Sequence, residues 1–286
     1  MKKFSTIVLG CSGLIGIALS RLLKNNKALF VSRTKPKPKN ISKYWKKIDL
    51  DKDIKSLPKK VEKIFFLSSP YYTINNLRKN NIYLKELKWL KKIINNTKTK
   101  KFIYLSSSSI YLKNHKIGKV KKKCEKFLKK SNISILQIWR PYNLVGIDQN
   151  KISDHFHNIL IKKIFIDELN KYEFNGNEND IRGYSSVEKF CSVMLRKSNT
   201  AKSFTCDYGN YKGIKIKDIV KIFSSILKKK YNRNFVALFK NPYPNKNIIS
   251  NNNLLYSYNS KENSKKIFVN YYNNLINEKT RKVQHL

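Results

Sequence analysis

Phe4-Ser5-Thr6-Ile7-Val8-Leu9-Gly10-Cys11-Ser12-Gly13-Leu14-Ile15-Gly16-Ile17-Ala18-Leu19-Ser20-Arg21-Leu22-Leu23 is the stretch whose reading decides the fold. Phe4 to Leu9 is a compact apolar run, the pattern of a buried strand, and Leu14 to Leu23 continues with apolar residues at helical spacing. Gly10, Gly13 and Gly16 separate the two. A strand that turns sharply into a helix leaves the helix's first N–H groups facing outward, ready for an anion, and side chains at the close-approach positions would block it. The spacing G-x-x-G-x-x-G differs from the G-x-G-x-x-G dinucleotide pattern and also fits a tight turn with close helix packing. Between a first strand and a first helix, the loop of Gly10, Ser12, Gly13, Leu14, Ile15 and Gly16 is expected to hold the pyrophosphate of NAD or NADP.

Outward from the loop, strand and helix patterns alternate. Strands are expected at Ala28 to Ser32, Trp45 to Leu50 (after the Pro36/Pro38 break), Ile64 to Ser68, Phe102 to Ser106 and Ile133 to Trp139. Leu77 to Ile94 reads as a long amphipathic helix and Lys119 to Lys130 as a basic one. This alternation implies an α/β protein, a Rossmann-type doubly wound parallel sheet covered on both faces. Beyond Pro141 the pattern loosens: helices at His155 to Ile166, Ser186 to Lys197 and Ile216 to Lys229, a turn at Asn175-Gly176-Asn177, and helical character from Ser260 to Ile276. The expected organisation is a nucleotide-binding domain over 1–146 and a smaller substrate lobe over 147–286, with Ser203 to Asp207 returning to the sheet.

The bulk numbers narrow the class. A 286-residue chain with 41% hydrophobic residues can bury a sizeable core. Its 61 Lys+Arg against 18 Asp+Glu give a formal charge of +43, which should attract polyanions, nucleic acid and anionic lipid included. The lysines are spread along the chain with no RNA-reading signature, so composition is the plainer reading. Cys11, Cys124, Cys191 and Cys206 lie far apart, without C-x-x-C pairs or nearby histidines, so no disulfide framework or metal site is expected and a cytoplasmic setting fits. Met1-Lys2-Lys3 and the apolar run before Cys11 imitate a secretion signal. The run, Phe4 to Leu9, falls short of the roughly 7–15 residues such a core needs. Nothing approaches the roughly 18 apolar residues of a membrane span.

Several ordered motifs carry a family resemblance. After the glycine loop come Asp49-Leu50-Asp51, Asn81, the run Phe102-Ile103-Tyr104-Leu105-Ser106-Ser107-Ser108-Ser109-Ile110-Tyr111, and Trp139-Arg140-Pro141-Tyr142-Asn143-Leu144-Val145-Gly146. Gly176 to Val187, with Arg182, follows. From Lys3 to about Lys228 the chain resembles the extended short-chain dehydrogenase/reductases, in their NAD(P)-dependent nucleotide-sugar epimerase/dehydratase branch. The resemblance implies that Asp49, beside Leu50, contacts the adenine and that Ser107 is the catalytic-site serine. It also implies that Asn143 and Arg182 face a sugar nucleotide, Arg182 toward its phosphates. At the end of the second strand, Ser32-Arg33-Thr34-Lys35 offers no acid for a ribose hydroxyl and one well-placed cation, so NADP is favoured over NAD; the competing reading makes Arg33 one more surface cation.

One departure bears on the chemistry. The family uses a Tyr-x-x-x-Lys pair, the lysine lowering the tyrosine's pKa and binding ribose. The matching register is Ile117-Gly118-Lys119-Val120-Lys121, with Glu125 and Leu128 at family-like positions. Lys121 survives as a catalytic and cofactor-binding candidate, but Ile117 cannot carry a proton, so a contribution of about 10²–10⁴-fold loses its usual agent. Tyr111 and His115 are candidate substitutes, whereas the Tyr-x-x-x-Lys spacings at Tyr208–Lys212 and Tyr211–Lys215 fall in the later lobe and read as chance. Gly183 and Lys189 also stand where the family places acids. The expectation is a sugar-nucleotide protein with altered or reduced catalysis. The alternatives are a non-catalytic module whose basic face binds RNA or another polyanion, and a purely structural subunit that dimerises with an active relative through Leu77–Ile94 and Lys119–Lys130; a homodimer is also open.

Overall fold

The computed structural model describes residues 4–23, 28–36, 44–70, 84–113, 115–146, 156–240, 247–248, 257–259 and 262–283. In chain order the first elements are β1 (Thr6–Leu9), α1 (Leu14–Leu22), β2 (Ala28–Ser32), β3 (Trp45–Lys47), β4 (Lys60–Phe66) and α2 (Lys85–Asn96). Then come β5 (Lys98–Leu105), α3 (Lys116–Lys129), β6 (Ile135–Pro141), β7 (Asn143–Val145), α4 (Phe156–Ile161), β8 (Lys171–Asn175) and β9 (Ile181–Arg182). The remainder are β10 (Tyr184–Ser186), α5 (Val187–Lys197), β11 (Phe204–Gly209), β12 (Ile214–Lys215), α6 (Ile216–Tyr231), β13 (Val236–Lys240), β14 (Asn247–Ile248), β15 (Ser257–Asn259) and α7 (Ser264–Val283).

Two compact units divide the chain: residues 1–141 with 187–208, and residues 142–186 with 209–286. In the first, seven parallel strands run in the order β11-β6-β5-β4-β1-β2-β3. β1 and β2 are buried at every position, which is why their sequences, apart from Thr6 and Ser32 at their outer ends, run apolar without alternating. The chain winds from β1 outward to β2 and β3, then returns to the other side of β1 for β4, β5 and β6. The order therefore reverses between β1 and β4, and in such sheets the crevice beyond the strands' carboxyl ends at that point receives ligands. The glycine loop leaves β1 there.

The Rossmann-type sheet expected from the sequence is present, including the late return of β11, which pairs with β6 from Phe204↔Gln137 to Tyr208↔Pro141. Element ends differ for identifiable reasons. β4 begins at Lys60, four residues before its apolar core, because Lys60 and Glu62 point outward while Val61 is buried between them. α3 starts at Lys116 because the ring of His115 caps it, accepting the Gly118 N–H at 3.2 Å, a signal that apolar spacing does not carry. Of the amphipathic helix expected from Leu77, residues 77–83 and with them Asn81 lie outside the described residues.

The second unit has its own apolar core, built from Val145, Leu160, Ile164, Phe174, Tyr184, Ile219, Phe223 and Phe268 among others. β7 pairs in parallel with β10, β9 lies between β12 and β14, and β8 pairs with β13. These ladders are short or half exposed, so their period is weak in sequence and the loosened pattern past Pro141 concealed them.

Candidate functional site

The glycine loop is built by two close approaches and one opening. Gly10 has φ +90°, and a Cβ there would lie 2.8 Å from Ser68 N. A Cβ on Gly16 would stand 2.2 Å from Gly10 O and 2.6 Å from Cys11 Cα. Gly13 differs: its φ of −83° suits any residue, and the nearest atom to an added Cβ is Gly10 O at 3.5 Å. Tight packing therefore accounts for Gly10 and Gly16 but gives no reason for Gly13. Gly13 is also the N-cap of α1, with no side-chain cap and no acid in the first turn, and the Ile17 N–H closes onto Gly13 O at 2.8 Å. The N–H groups of Leu14, Ile15 and Gly16 precede that first closed turn and so point out of the helix mouth, where the helix dipole favours negative charge. Ser12, Leu14 and Ile15 are half-buried around it.

Neighbouring side chains brace this loop. The buried Cys11 thiol donates to Ser32 Oγ at 3.2 Å, and burial pushes its pKa up to about 11, so it is no nucleophile. Ser32 Oγ also receives Trp45 Nε1–H at 2.9 Å and donates to Thr34 O at 2.6 Å, fixing the turn after β2. Arg33 is exposed on that turn.

In Asp49-Leu50-Asp51 the roles separate. Asp49, half-buried, accepts the Asp51 N–H at 3.0 Å, and the Leu50 side chain lies in the core. Asp51 is held by Lys85 at 2.5 Å and by the Trp89 indole N–H at 2.7 Å. Burial pushes the Asp51 pKa upward, but the bonds from Lys85 and Trp89 with the charges of Lys85 and Arg33 outweigh it and hold the carboxyl below its ordinary value.

Ser107 caps the short turn Ser108–Tyr111: its Oγ accepts the Ser109 N–H at 3.1 Å, leaving its own proton to donate. Beside it Ser106 Oγ donates to Glu125 Oε1 at 2.5 Å, and Arg140 grips Glu125 with two bonds of 2.9 and 2.5 Å. Arg140 also donates to the Tyr111 hydroxyl at 2.8 Å, and that hydroxyl donates to Asp207 at 2.9 Å. Burial and the Asp207 carboxylate push the Tyr111 pKa up to about 12, so its phenol stays protonated with the proton engaged. Burial lowers the His115 pKa, and its Nδ1 is engaged in the helix cap. Both residues thus have these groups engaged within the fold.

The helix α3 is clamped in register by Gly118, where a Cβ would lie 2.2 Å from Ser109 O. Ile117 and Lys121 are one turn apart on the same face of α3. Lys121 is buried, and its ammonium donates to Glu86 Oε1 at 2.7 Å and to Leu105 O at 3.0 Å. Glu86, with a side chain 0% exposed, also receives the Tyr104 hydroxyl at 2.7 Å and the Ser69 hydroxyl at 3.2 Å. Glu86 escaped the sequence analysis although a signal existed. It shares the buried face of α2 with Trp89, Leu90 and Ile93, and an acid on an apolar helical stripe demands a partner.

In the second unit, Asn143 and Arg182 come together. Asn143 Nδ2 donates to Gly183 O at 3.1 Å, and Arg182 lies 3.6 Å from Asp180, with its Nε buried and lacking a hydrogen-bond partner. Gly183 is required sterically, since a Cβ there would come within 2.0 Å of Asn210 O. Asp180 thus gives Arg182 a nearby acid although Gly183 and Lys189 cannot. Tyr208 lies on β11 and Tyr211 on the turn after it, so neither Tyr-x-x-x-Lys spacing there falls on a helical face. Among the described residues no group of His, Cys, Asp and Glu could hold a metal ion, and no helix is long and apolar enough to cross a membrane.

A glycine loop at the reversal point of a doubly wound parallel sheet defines a Rossmann-type fold. Solved structures of nucleotide-sugar epimerases and dehydratases share this fold. The chain is similar to MoeE5, solved in complex with UDP-glucose and NAD, at TM-score 0.79 and 13% identity over 96% of this chain and 99% of that one. It is also similar to the UDP-N-acetylglucosamine 4-epimerase of Methanobrevibacter ruminantium, solved with UDP-N-acetylmuramic acid, at TM-score 0.75 and 19% identity over 95% and 99%. TunA, an NAD-dependent NDP-hexosamine 5,6-dehydratase of tunicamycin biosynthesis, matches at TM-score 0.76 and 13% identity over 95% and 98%. No protein-family model and no curated protein matches the chain.

Proposed function

We propose that the protein binds a nicotinamide dinucleotide at the glycine loop, NADP in preference to NAD, and a sugar nucleotide through Asn143 and Arg182. Its catalysis as an epimerase, dehydratase or reductase is altered or reduced. The observation that carries the reading is Gly13, a helix N-cap kept bare where the fold itself leaves room for a side chain. Glycine is an ordinary N-cap, but an anion seated on the first turn of α1 gives the further reason for keeping it bare of a capping side chain. The similar structures solved with NAD and UDP-sugars support the same ligand classes, and Arg33 on the turn after β2 supports the extra phosphate of NADP.

The residues fit the two ends of such a cofactor unequally. The loop fits a pyrophosphate. At the other end, a bound nicotinamide would exchange hydride with a carbon of the sugar, and the accompanying proton needs a side chain to carry it. Ile117 cannot, Tyr111 holds its proton against Asp207, and Ser107 can only donate a hydrogen bond to the reacting oxygen. Lys121 has two of its three ammonium protons committed to Glu86 and Leu105, leaving one for a ribose hydroxyl.

The test is titration of purified protein with NADPH and NADH, read by nucleotide fluorescence. Saturable binding with NADPH tighter supports the proposal, and no binding of either at about millimolar concentration, a Kd too weak to matter, defeats it. A second reading, a non-catalytic polyanion-binding module, has one observation in its favour. Every exposed position of α3 is a lysine: Lys116, Lys119, Lys122, Lys123, Lys126 and Lys129. The same row opposes self-association through this helix by like-charge repulsion. Binding to RNA that keeps a preferred sequence at moderate salt would support this reading, and loss of all polyanions alike would reduce it to bulk charge.

A further inference from the structure

We infer that Glu86 is the resident counter-charge of Lys121 and that, with Ile117 unable to offer a phenolate, α3 keeps the lysine as a neutralised anchor and not as an activator of a proton donor. The inference rests on the α3 register used above and concerns the chain's own residues with no ligand bound.

The ammonium of Lys121 is almost wholly withdrawn from water, with 6% of the side chain exposed, and an ammonium so placed persists only beside an opposite charge with its hydrogen bonds met. Glu86 supplies the charge, 2.7 Å away, and Leu105 O the second bond. The carboxylate is satisfied in turn: Tyr104 donates to the same oxygen that Lys121 reaches, and Ser69 to the other. Among the described residues, the remaining titratable groups facing the pair are Tyr104 on β5 and Cys124 and Glu125 on α3. Cys124 is buried with its thiol pushed up to about 12, hence neutral, and Glu125 is spent on Arg140 and Ser106. Glu86 is therefore the acid that balances Lys121.

The consequence reaches position 117. A lone ammonium beside a phenol favours the phenolate, commonly by about 1–3 pK units. An ammonium already paired within 2.7 Å presents a dipole whose influence falls off faster with distance. Placing a tyrosine at position 117 would thus be insufficient by itself to give an acidic phenol, because Glu86 would still absorb the lysine's charge.

The experiment uses the full chain without nucleotide. Ile117→Tyr is made with Glu86 present and with Glu86→Gln, and each is titrated by ultraviolet tyrosinate absorbance against the matched protein that keeps Ile117. The added phenol is expected to titrate at least about one unit lower in the Glu86→Gln background. Equal titration, or a lower value with Glu86 present, overturns the inference. A stability pair guards against a misfolded variant. Lys121→Met alone, which strands Glu86, should lower Tm on the order of 10 °C, and Lys121→Met with Glu86→Leu should recover most of the loss. A double variant no more stable than Lys121→Met overturns the inference equally. Because no dinucleotide is present, failure of nucleotide binding would leave these results standing, and failure here would leave the loop's ligand standing.

Discussion

Replacing Gly13 and Gly16 by alanine, one at a time, separates a ligand cradle from a packing turn. At Gly16 the new Cβ would lie 2.2 Å from Gly10 O and 2.6 Å from Cys11 Cα. Both neighbours are backbone, so the loop has to open by about 1 Å to reach an ordinary contact distance. Overpacking against a main chain that cannot rotate away costs about 3 kcal/mol, the upper part of the usual range. At Gly13 the nearest atom is 3.5 Å away and φ is −83°, so alanine fits, at a loss of under about 1 kcal/mol as a non-capping N-cap. Its methyl would stand where the loop is open, and a pyrophosphate seated on the α1 N–H groups would meet it. Gly13→Ala should therefore lose at least about ten-fold in NADPH affinity, about 1.4 kcal/mol, with nearly parental stability. Gly16→Ala should lose stability and affinity together. Urea denaturation and NADPH fluorescence titration on the same preparations give both quantities. Undiminished affinity in Gly13→Ala would refute the cradle, and a Gly16→Ala protein as stable as the parent would refute the packing argument.

Three further outcomes follow from the geometry. Gly118→Ala places a Cβ 2.2 Å from Ser109 O, so it should cost about 3 kcal/mol in denaturant and disturb the Ser107 turn against which α3 is seated; a loss within 0.5 kcal/mol, the range of a neutral surface change, would be inconsistent with the register of Ile117 and Lys121. Arg33→Glu should weaken NADPH by about ten-fold or more while sparing NADH, since only the former brings a phosphate to the turn after β2, and equal losses would assign Arg33 to the bulk surface charge. Asp51 has its folded pKa held below the ordinary 3.8, so its bonds to Lys85 and Trp89 contribute stability that is present above that value and lost as the pH falls through the lower folded one. In Tm against pH from about 2 to 6, Asp51→Asn should have the lower Tm at the upper end and a shallower acid limb, and parallel curves would contradict the assignment.

The local part of this protein was open to reading from the amino-acid order. Apolar runs such as Ile7–Leu9 and Ala28–Val31 and the 3.6 spacing of Leu14–Leu22 are properties of adjacent residues, and adjacency also displays the glycine triplet. From these the alternating architecture of a doubly wound parallel sheet followed, because such strands and helices have few ways to wind, and the position of its reversal, beside β1, came from the strand order itself. Which glycine does what was decided only by contact. Gly10 is pressed by Ser68, Gly16 by Gly10, Gly118 by Ser109 and Gly183 by Asn210, partners up to 58 residues away in the chain, whereas Gly13 is pressed by nothing of the kind. The same holds for charge. Lys121 in sequence is one cation among many in a +43 chain, and Glu86 is one of few acids, separated from it by 35 residues. Packing of α2 and α3 against β5 removes both from water, and burial without water as a competitor converts two ordinary surface residue types into a pair whose chemistry neither could have alone.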